Sequence, residues 1–188
     1  MDLKRIVIIG TSGTGKTTFA QQLSRELDVP HIELDALHWN PNWQETPREI
    51  FIQKVDAATL APAWVVDGNY TTKVAPLVWQ RADTIIWLNY PFRIILYRLL
   101  ARTVRRALLG EECCNGNRES WRQALSKNSI ILWAFHSHWR HQREYDAKLR
   151  DPVHGHLRQV RLQSPKETAR WIEQIKQPVG KAQPAAEA

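Results

Sequence analysis

The residues most able to do chemistry stand in a short glycine-rich stretch, residues 10–17, with the sequence G-T-S-G-T-G-K-T. This stretch matches the phosphate-binding pattern G-x-x-x-x-G-K-[ST] at every position. Glycines let backbone N–H groups surround a phosphate, and the N-terminus of a following helix adds partial positive charge. An apolar run at residues 6–9 predicts a buried strand before the stretch, and a helical pattern begins at Thr18. This order of strand, loop and helix predicts a binding site for a nucleoside triphosphate.

Each polar residue near the end of this loop has a predicted task. Lys16 would bridge the β- and γ-phosphates, Thr17 would offer its hydroxyl to Mg²⁺, and Thr18 would reach the α-phosphate. One alternative is a glycine turn that binds nothing. Another is a dinucleotide-binding fold with Asp35 on a ribose, but that fold expects G-x-G-x-x-G, whereas four residues separate the outer two glycines here. The residues predicted to hold the nucleotide are Gly10, Thr11, Ser12, Gly13, Thr14, Gly15, Lys16, Thr17 and Thr18.

Acidic residues follow two of the predicted strands. The apolar run 64–66 ends in Asp67, the pattern of an acid that holds Mg²⁺ directly or through a water. Asp35 follows the run 30–34 in the same way. Because ligands bind at the carboxyl ends of parallel strands, we expect Thr17 and Asp67 to form a metal site. The alternative is an aspartate that only caps a turn.

A second group of candidates could bind the acceptor of a phosphoryl group. Asp35 could deprotonate or orient an acceptor hydroxyl, assist the metal, or position the acceptor. The turn after Asp67 would expose Asn69 and Tyr70 to the same ligand. His38 and the neighbouring tryptophans either line the acceptor pocket or pack in the core beneath a loop. The predicted acceptor-binding residues are Asp35, His38, Trp39, Asn69 and Tyr70.

Basic residues concentrate on a predicted helix at residues 92–109. Arg98, Arg102 and Arg105 are four and three residues apart and therefore share one face. Such a face could close over the transferring phosphoryl group and neutralise its charge, or it could be a solvated basic surface. The stretch that follows, residues 110–117, would form the hinged tip of this lid. The predicted catalytic residues are Lys16, Asp35, Arg102 and Arg105.

Short apolar runs alternate with helical patterns along the chain, which indicates an α/β protein with a parallel sheet covered on both faces. The predicted strands are residues 6–9, 30–34, 64–66, 84–88 and 157–162. The predicted helices are residues 15–27, 47–60, 73–80, 92–109, 118–149 and 165–176. We predict one three-layer domain at residues 1–177, with an acceptor-binding segment at about 35–62, a lid at about 98–122 and a disordered tail at 178–188.

The composition of the 188 residues is that of a globular domain, 43% hydrophobic and 24% charged. The sequence has no bilayer-spanning run and no signal peptide, so we expect a cytoplasmic protein. The only cysteines are the adjacent pair Cys113 and Cys114, whose spacing does not suit a zinc site. The net charge of +7 favours arginines that clamp polyphosphates, with nucleic-acid binding as the alternative. The spacing of His136, His138 and His141 scatters them around a helix, so we expect structural or surface histidines.

These segments resemble those of P-loop kinases of the adenylate-kinase type, and are most similar to bacterial topology modulation or adenylate kinase-like proteins. The resemblance rests on G-T-S-G-T-G-K-T-T at 10–18, L-D-A-L-H-W at 34–39, W-V-V-D-G-N-Y at 64–70, A-D-T-I-I-W-L at 82–88 and L-x-S-P-K-E-x-x-x-W-I at 162–172. It implies a P-loop NTPase fold whose five parallel strands have the order 2-3-1-4-5, with an arginine lid after strand four. Adenylate kinases follow the third-strand aspartate with Gly-Phe-Pro-Arg, and that arginine, which grips AMP, is absent here.

The sequence therefore predicts ATP- and Mg²⁺-dependent phosphoryl transfer to a small acceptor: a nucleoside, a nucleotide or a hydroxyl-bearing metabolite. The alternative is a nucleotide-dependent regulatory ATPase that binds nucleic acid through its basic helices.

Overall fold

A five-stranded, fully parallel sheet lies at the centre of the computed structural model, which describes residues 3–70, 73–109, 115–117 and 130–176. Its strands have the spatial order β2-β3-β1-β4-β5, which confirms the predicted order 2-3-1-4-5. In chain order they are β1 (Arg5–Gly10), β2 (His31–Glu33), β3 (Trp64–Asp67), β4 (Thr84–Leu88) and β5 (Arg158–Leu162).

Helices cover both faces of the sheet, because its central strands are apolar on both sides. In β1, Val7 and Ile9 face one core, whereas Ile6 and Ile8 face the other. The first core includes residues of α3, α4 and α6, and the second includes residues of α1, α5 and α7. The predicted three-layer α/β fold is confirmed. The helices are α1 (Lys16–Leu27), α2 (Leu34–His38), α3 (Arg48–Ala58), α4 (Ala75–Arg81), α5 (Phe92–Leu109), α6 (Ile130–Arg150) and α7 (Pro165–Lys176).

The largest departure from the predicted elements follows β2. Leu34 was predicted to end that strand, but it begins the short helix α2 instead. The chain then forms an antiparallel hairpin from Trp39–Asn40 and Gln44–Glu45, joined by a 3₁₀ turn at Pro41–Trp43. We call residues 39–45 the acceptor hairpin. A five-residue helix and two-residue strands are too short to produce a periodic hydrophobic pattern, so the sequence did not predict them.

Several predictions concern residues outside the described ranges. These are residues 110–114 and 118–122 of the predicted lid, residues 118–129 of the predicted helix 118–149, both cysteines and the tail at 178–188. The described part of the predicted helix 118–149 is α6, which ends at Arg150. Among the described residues, no helix is both long enough and apolar enough to span a membrane.

Candidate active site

The phosphate loop between β1 and α1 is tightly folded against α5. The Thr14 amide and hydroxyl both donate to the Thr11 carbonyl, at 3.2 and 2.8 Å. Gly13 has φ +88°, and a Cβ at this position would lie 2.7 Å from Cγ of Leu99. No side chain fits there, so the glycine allows both the left-handed turn and the close approach of α5. The loop is therefore held in shape by the protein's own packing.

Lys16 lies folded back over this loop. Its Nζ donates to the Gly10 carbonyl at 2.7 Å and to the Thr11 carbonyl at 3.3 Å. Burial lowers the pKa of Lys16, and the nearby charges of Asp67 and Asp35 oppose this by raising it. The ammonium group thus lies at the mouth of the loop, where an arriving phosphate could replace the two carbonyl oxygens as its partner.

The predicted metal pair is brought together. Thr17 Oγ1 donates to Oδ2 of Asp67 at 2.8 Å, and the Asp67 side chain is buried. Hard oxygen ligands of this kind fit Mg²⁺, which is usually held by one or two protein oxygens together with phosphates and waters. In the described ranges there is no group of three His, Cys, Asp or Glu side chains able to hold a metal. A single hydroxyl–carboxylate pair is thus the candidate protein contribution to a Mg²⁺ site.

On the acceptor side, Asp35 is exposed at the start of α2, and its Oδ1 accepts a hydrogen bond from Tyr70 Oη at 2.8 Å. This contact fixes the direction of a carboxylate that would otherwise rotate freely. Asn69, also predicted to bind the acceptor, donates from Nδ2 to the Gly10 carbonyl at 2.7 Å. It therefore joins the acceptor side to the first residue of the phosphate loop.

His38 is buried among aromatic rings. Its ring centroid lies 4.8 to 5.0 Å from those of Trp39, Phe51 and Tyr70, all in edge-on contacts. Burial lowers the pKa of His38, and the neighbouring Lys73 lowers it further. His38 therefore packs beneath the acceptor segment, which is the packing alternative that the sequence left open.

Two asparagines from the chain segment after α5 pack onto the acceptor segment. Asn115 Nδ2 donates to the carbonyls of Ala36 and Trp39, at 2.8 and 2.5 Å. Asn117 is buried, donates to the Asn40 carbonyl at 3.0 Å and accepts from the Trp43 amide at 2.8 Å. Together they link the region predicted to be the lid to α2 and the acceptor hairpin.

The three arginines of α5 have different surroundings. Arg98 donates from Nη1 to the Thr14 carbonyl at 2.7 Å and lies over the ring of Tyr90, 5.4 Å from its centroid. Arg102 is half-buried and close enough to Lys16 to lower its pKa. Arg105 is exposed. The three arginines predicted to share one face therefore differ: Arg98 supports the phosphate loop, Arg102 lies near Lys16, and Arg105 is at the surface.

Comparisons with known proteins bear on the fold. Residues 6–66 match the family described as ATPase family associated with various cellular activities (AAA). A shikimate kinase of Flavobacterium johnsoniae is 21% identical over 165 residues, which span 79% of this chain and 94% of that protein. The solved shikimate kinase of Bacteroides thetaiotaomicron superposes with a TM-score of 0.53 at 14% identity, covering 93% and 97% of the two chains. That of Aquifex aeolicus gives 0.52 at 16% identity, covering 91% and 92%.

The chain has the fold of a P-loop kinase of the adenylate-kinase-like type. In α6, His138 and His141 have structural positions, which agrees with the expectation of structural or surface histidines. His138 and His141 are three residues apart, lie on one face and are both buried. His138 Nδ1 lies 3.4 Å from Thr11 Oγ1, and His141 stacks on Tyr145 with a centroid distance of 5.5 Å. The side chain of His136 lies outside the described part.

Three residues of the candidate site were not identified from the sequence: His31, Asn115 and Asn117. Asn115 and Asn117 act on residues more than 70 positions away in the chain, and no short pattern encodes such a contact. His31 could have been found, because the predicted strand order already places β2 beside the strand that carries Asp67.

Proposed function

We propose that this protein transfers the γ-phosphoryl group of ATP to a hydroxyl group of a small acceptor in a Mg²⁺-dependent reaction. One observation carries the proposal: Lys16 and the hydrogen-bonded pair of Thr17 and Asp67 lie at a complete phosphate loop. The charge of Asp35 is close enough to Lys16 to raise its pKa. Similarity to proteins named shikimate kinase supports the same reaction class.

The nucleotide side would work by positioning and charge neutralisation. Loop amides and the N-terminus of α1 bind the phosphates, and Lys16 exchanges the Gly10 and Thr11 carbonyls for phosphate oxygens. Thr17 and Asp67 would hold Mg²⁺, which draws charge from the phosphate oxygens when bound. Thr18, at the start of α1, is placed to reach the α-phosphate.

The acceptor side would work through Asp35. Tyr70 donates a hydrogen bond to one oxygen of Asp35, so the other oxygen would be available to accept the proton of an acceptor hydroxyl. The hydroxyl oxygen of the acceptor would form the new bond to the γ-phosphorus, the bond from that phosphorus to the β,γ-bridging oxygen would break, and ADP would leave. Buried His38, with the ring of Trp39 packed against it, would support the pocket, and Asn69 would hold the loop beside it. Arg102 lies close enough to Lys16 to lower its pKa, and its charge would neutralise the transferring phosphoryl group. Arg105 would add its charge when α5 moves toward the bound acceptor.

The proposal can be narrowed to a class of acceptor. The chain lacks the arginine that follows Gly68 in adenylate kinases, which argues against a nucleoside monophosphate and favours a hydroxyl-bearing metabolite or a nucleoside. Shikimate is one candidate, because the relatives carry it in their names.

The sequence segments shared with topology modulation proteins support placing the chain with that group, and we propose a cytoplasmic location.

A panel assay tests this function. ADP formation from Mg²⁺-ATP is followed with nucleosides, nucleotides, shikimate and other hydroxylated metabolites, and products are identified by mass. We expect one acceptor class to raise turnover by orders of magnitude, and Asp35→Asn to remove most of that increase. Slow hydrolysis that no acceptor stimulates would contradict the proposal. Binding to DNA or RNA that weakens steeply with salt would then favour the regulatory ATPase.

A further inference from the structure

His31 contacts the buried carboxylate of the candidate metal site from the neighbouring strand. In the parallel pairing of β2 with β3, His31 lies beside Val65 and Glu33 beside Asp67. The His31 side chain extends along the strands, and its Nε2 lies 2.7 Å from Oδ1 of Asp67. The Asp67 side chain is only 3% exposed and that of His31 only 16%, so little water reaches this contact.

Both oxygens of Asp67 are held by protein donors. Thr17 Oγ1 donates to Oδ2 at 2.8 Å, and His31 Nε2 lies on Oδ1. Since an ionised carboxylate can only accept hydrogen bonds, the proton of a neutral His31 ring must be on Nε2. Two donors on opposite oxygens fix the plane of the carboxylate, so Asp67 cannot rotate about its last side-chain bond without breaking one of them.

We propose that His31 is a positioning residue that aims Asp67 at the Mg²⁺ bound with the nucleotide. The inference rests on the proposed function, because it assigns a task to a neighbour of the proposed metal ligand. Groups that orient metal-binding side chains typically change metal affinity 10- to 100-fold when they are removed. His31 would act through Asp67 and would touch neither nucleotide nor acceptor.

Two amide substitutions separate this role from simple packing. In His31→Gln, the amide nitrogen can occupy the position of Nε2 and keep the hydrogen bond to Asp67. In His31→Asn, the same group sits one carbon shorter, near the position of Nδ1, and cannot reach Oδ1. His31→Leu serves as a second variant without a donor, so that poor folding of one variant does not end the test. Thermal unfolding of each variant is measured first.

The decisive quantity is the coupling between Mg²⁺ and nucleotide binding. The dissociation constant of a non-hydrolysable ATP analogue is measured by calorimetry in Mg²⁺ and in EDTA, and the ratio of the two values is compared among variants. We expect His31→Gln to keep the wild-type ratio within about twofold. His31→Asn and His31→Leu should reduce it about tenfold, with affinity in EDTA unchanged. The Mg²⁺ concentration for half-maximal turnover should rise in parallel.

The outcomes distinguish the two proposals. Suppose that the wild type binds the analogue more tightly with Mg²⁺. If His31→Asn and His31→Leu then keep the wild-type ratio of the two dissociation constants, the role of His31 is overturned while the metal site stands. Equal weakening with and without Mg²⁺ would also overturn it, because that result indicates packing. If the wild-type protein itself shows no effect of Mg²⁺, the metal site is wrong, and the role of His31 fails with it.

Discussion

The nucleotide side and the acceptor side of this site are built from different kinds of structure. The phosphate loop and Asp67 lie at the ends of central strands covered on both faces, and Gly13 packs against the buried side chain of Leu99 in α5. The acceptor side stands on a five-residue helix and a hairpin of two-residue strands, held by side-chain hydrogen bonds from distant parts of the chain. From this difference we infer that the core would fix the binding of phosphate, whereas the choice of acceptor would depend on a few peripheral contacts.

The largest effect is expected from Lys16→Ala on the nucleotide side. Its ammonium group already lies at the loop carbonyls, so its removal should lower turnover by at least about 10³-fold, or about 4 kcal/mol of transition-state stabilisation. Steady-state ADP formation measures this loss. Lys54→Ala removes an exposed charge from α3 and should keep full activity. Near-full turnover in Lys16→Ala would show that the loop has been assigned incorrectly.

Two glycine substitutions compare the rigidity of the two sides directly. Gly13 and Gly116 both have positive φ, at +88° and +75°. A Cβ at Gly13 would meet Leu99 at 2.7 Å, whereas a Cβ at Gly116 would meet nothing within 4 Å. We expect Gly13→Ala to lower the free energy of unfolding by about 3 kcal/mol, from strain and overpacking together. Gly116→Ala should cost about 1 kcal/mol, from strain alone.

Urea unfolding monitored by tryptophan fluorescence measures both changes. If the two variants lose equal stability, α5 is able to move away from the loop. The nucleotide side would then be no more rigid than the acceptor side.

The sequence predicted the strands on either side of the nucleotide site because that information is local. Lys16 is six residues from its carbonyl partner Gly10, and continuous apolar runs revealed the strands that carry the loop and Asp67. On the acceptor side the candidate residues were named, but their arrangement was not. The bond between Tyr70 and Asp35 spans 35 positions, and the contacts of Asn117 span more than 70, so only the folded chain brings these groups together. The buried face of His138 and His141 likewise depended on where α6 packs.

The helix α6, which contacts the nucleotide side through His138, should make stability depend on pH. Burial lowers the pKa of His141 from 6.5 to about 4, and Arg140 contributes in the same direction. Between pH 6.5 and 4 the unfolded chain therefore binds more protons, so stability falls as the pH is lowered. This group alone should cost up to about 2 kcal/mol between pH 7 and pH 5.

Urea unfolding at both pH values tests this dependence against His141→Gln, which does not titrate in this range. The variant should lose less stability than the wild type on acidification. The same loss in both proteins would mean that His141 takes up its proton without opening the packing of α6.

The smallest effect is expected at Asn117, and it should fall on the acceptor alone. Asn117→Ala removes two hydrogen bonds to the acceptor hairpin, to the Asn40 carbonyl and the Trp43 amide. At about 0.5 kcal/mol for each of the two bonds lost, KM for the acceptor should rise roughly fivefold, whereas KM for ATP should not change. Exposed Gln44, on the same hairpin, supplies the control variant Gln44→Ala, which should leave both constants unchanged. A parallel rise in KM for ATP would show that the hairpin and the phosphate loop move as one unit, and the contrast between a core-built nucleotide side and a peripheral acceptor side would then be wrong.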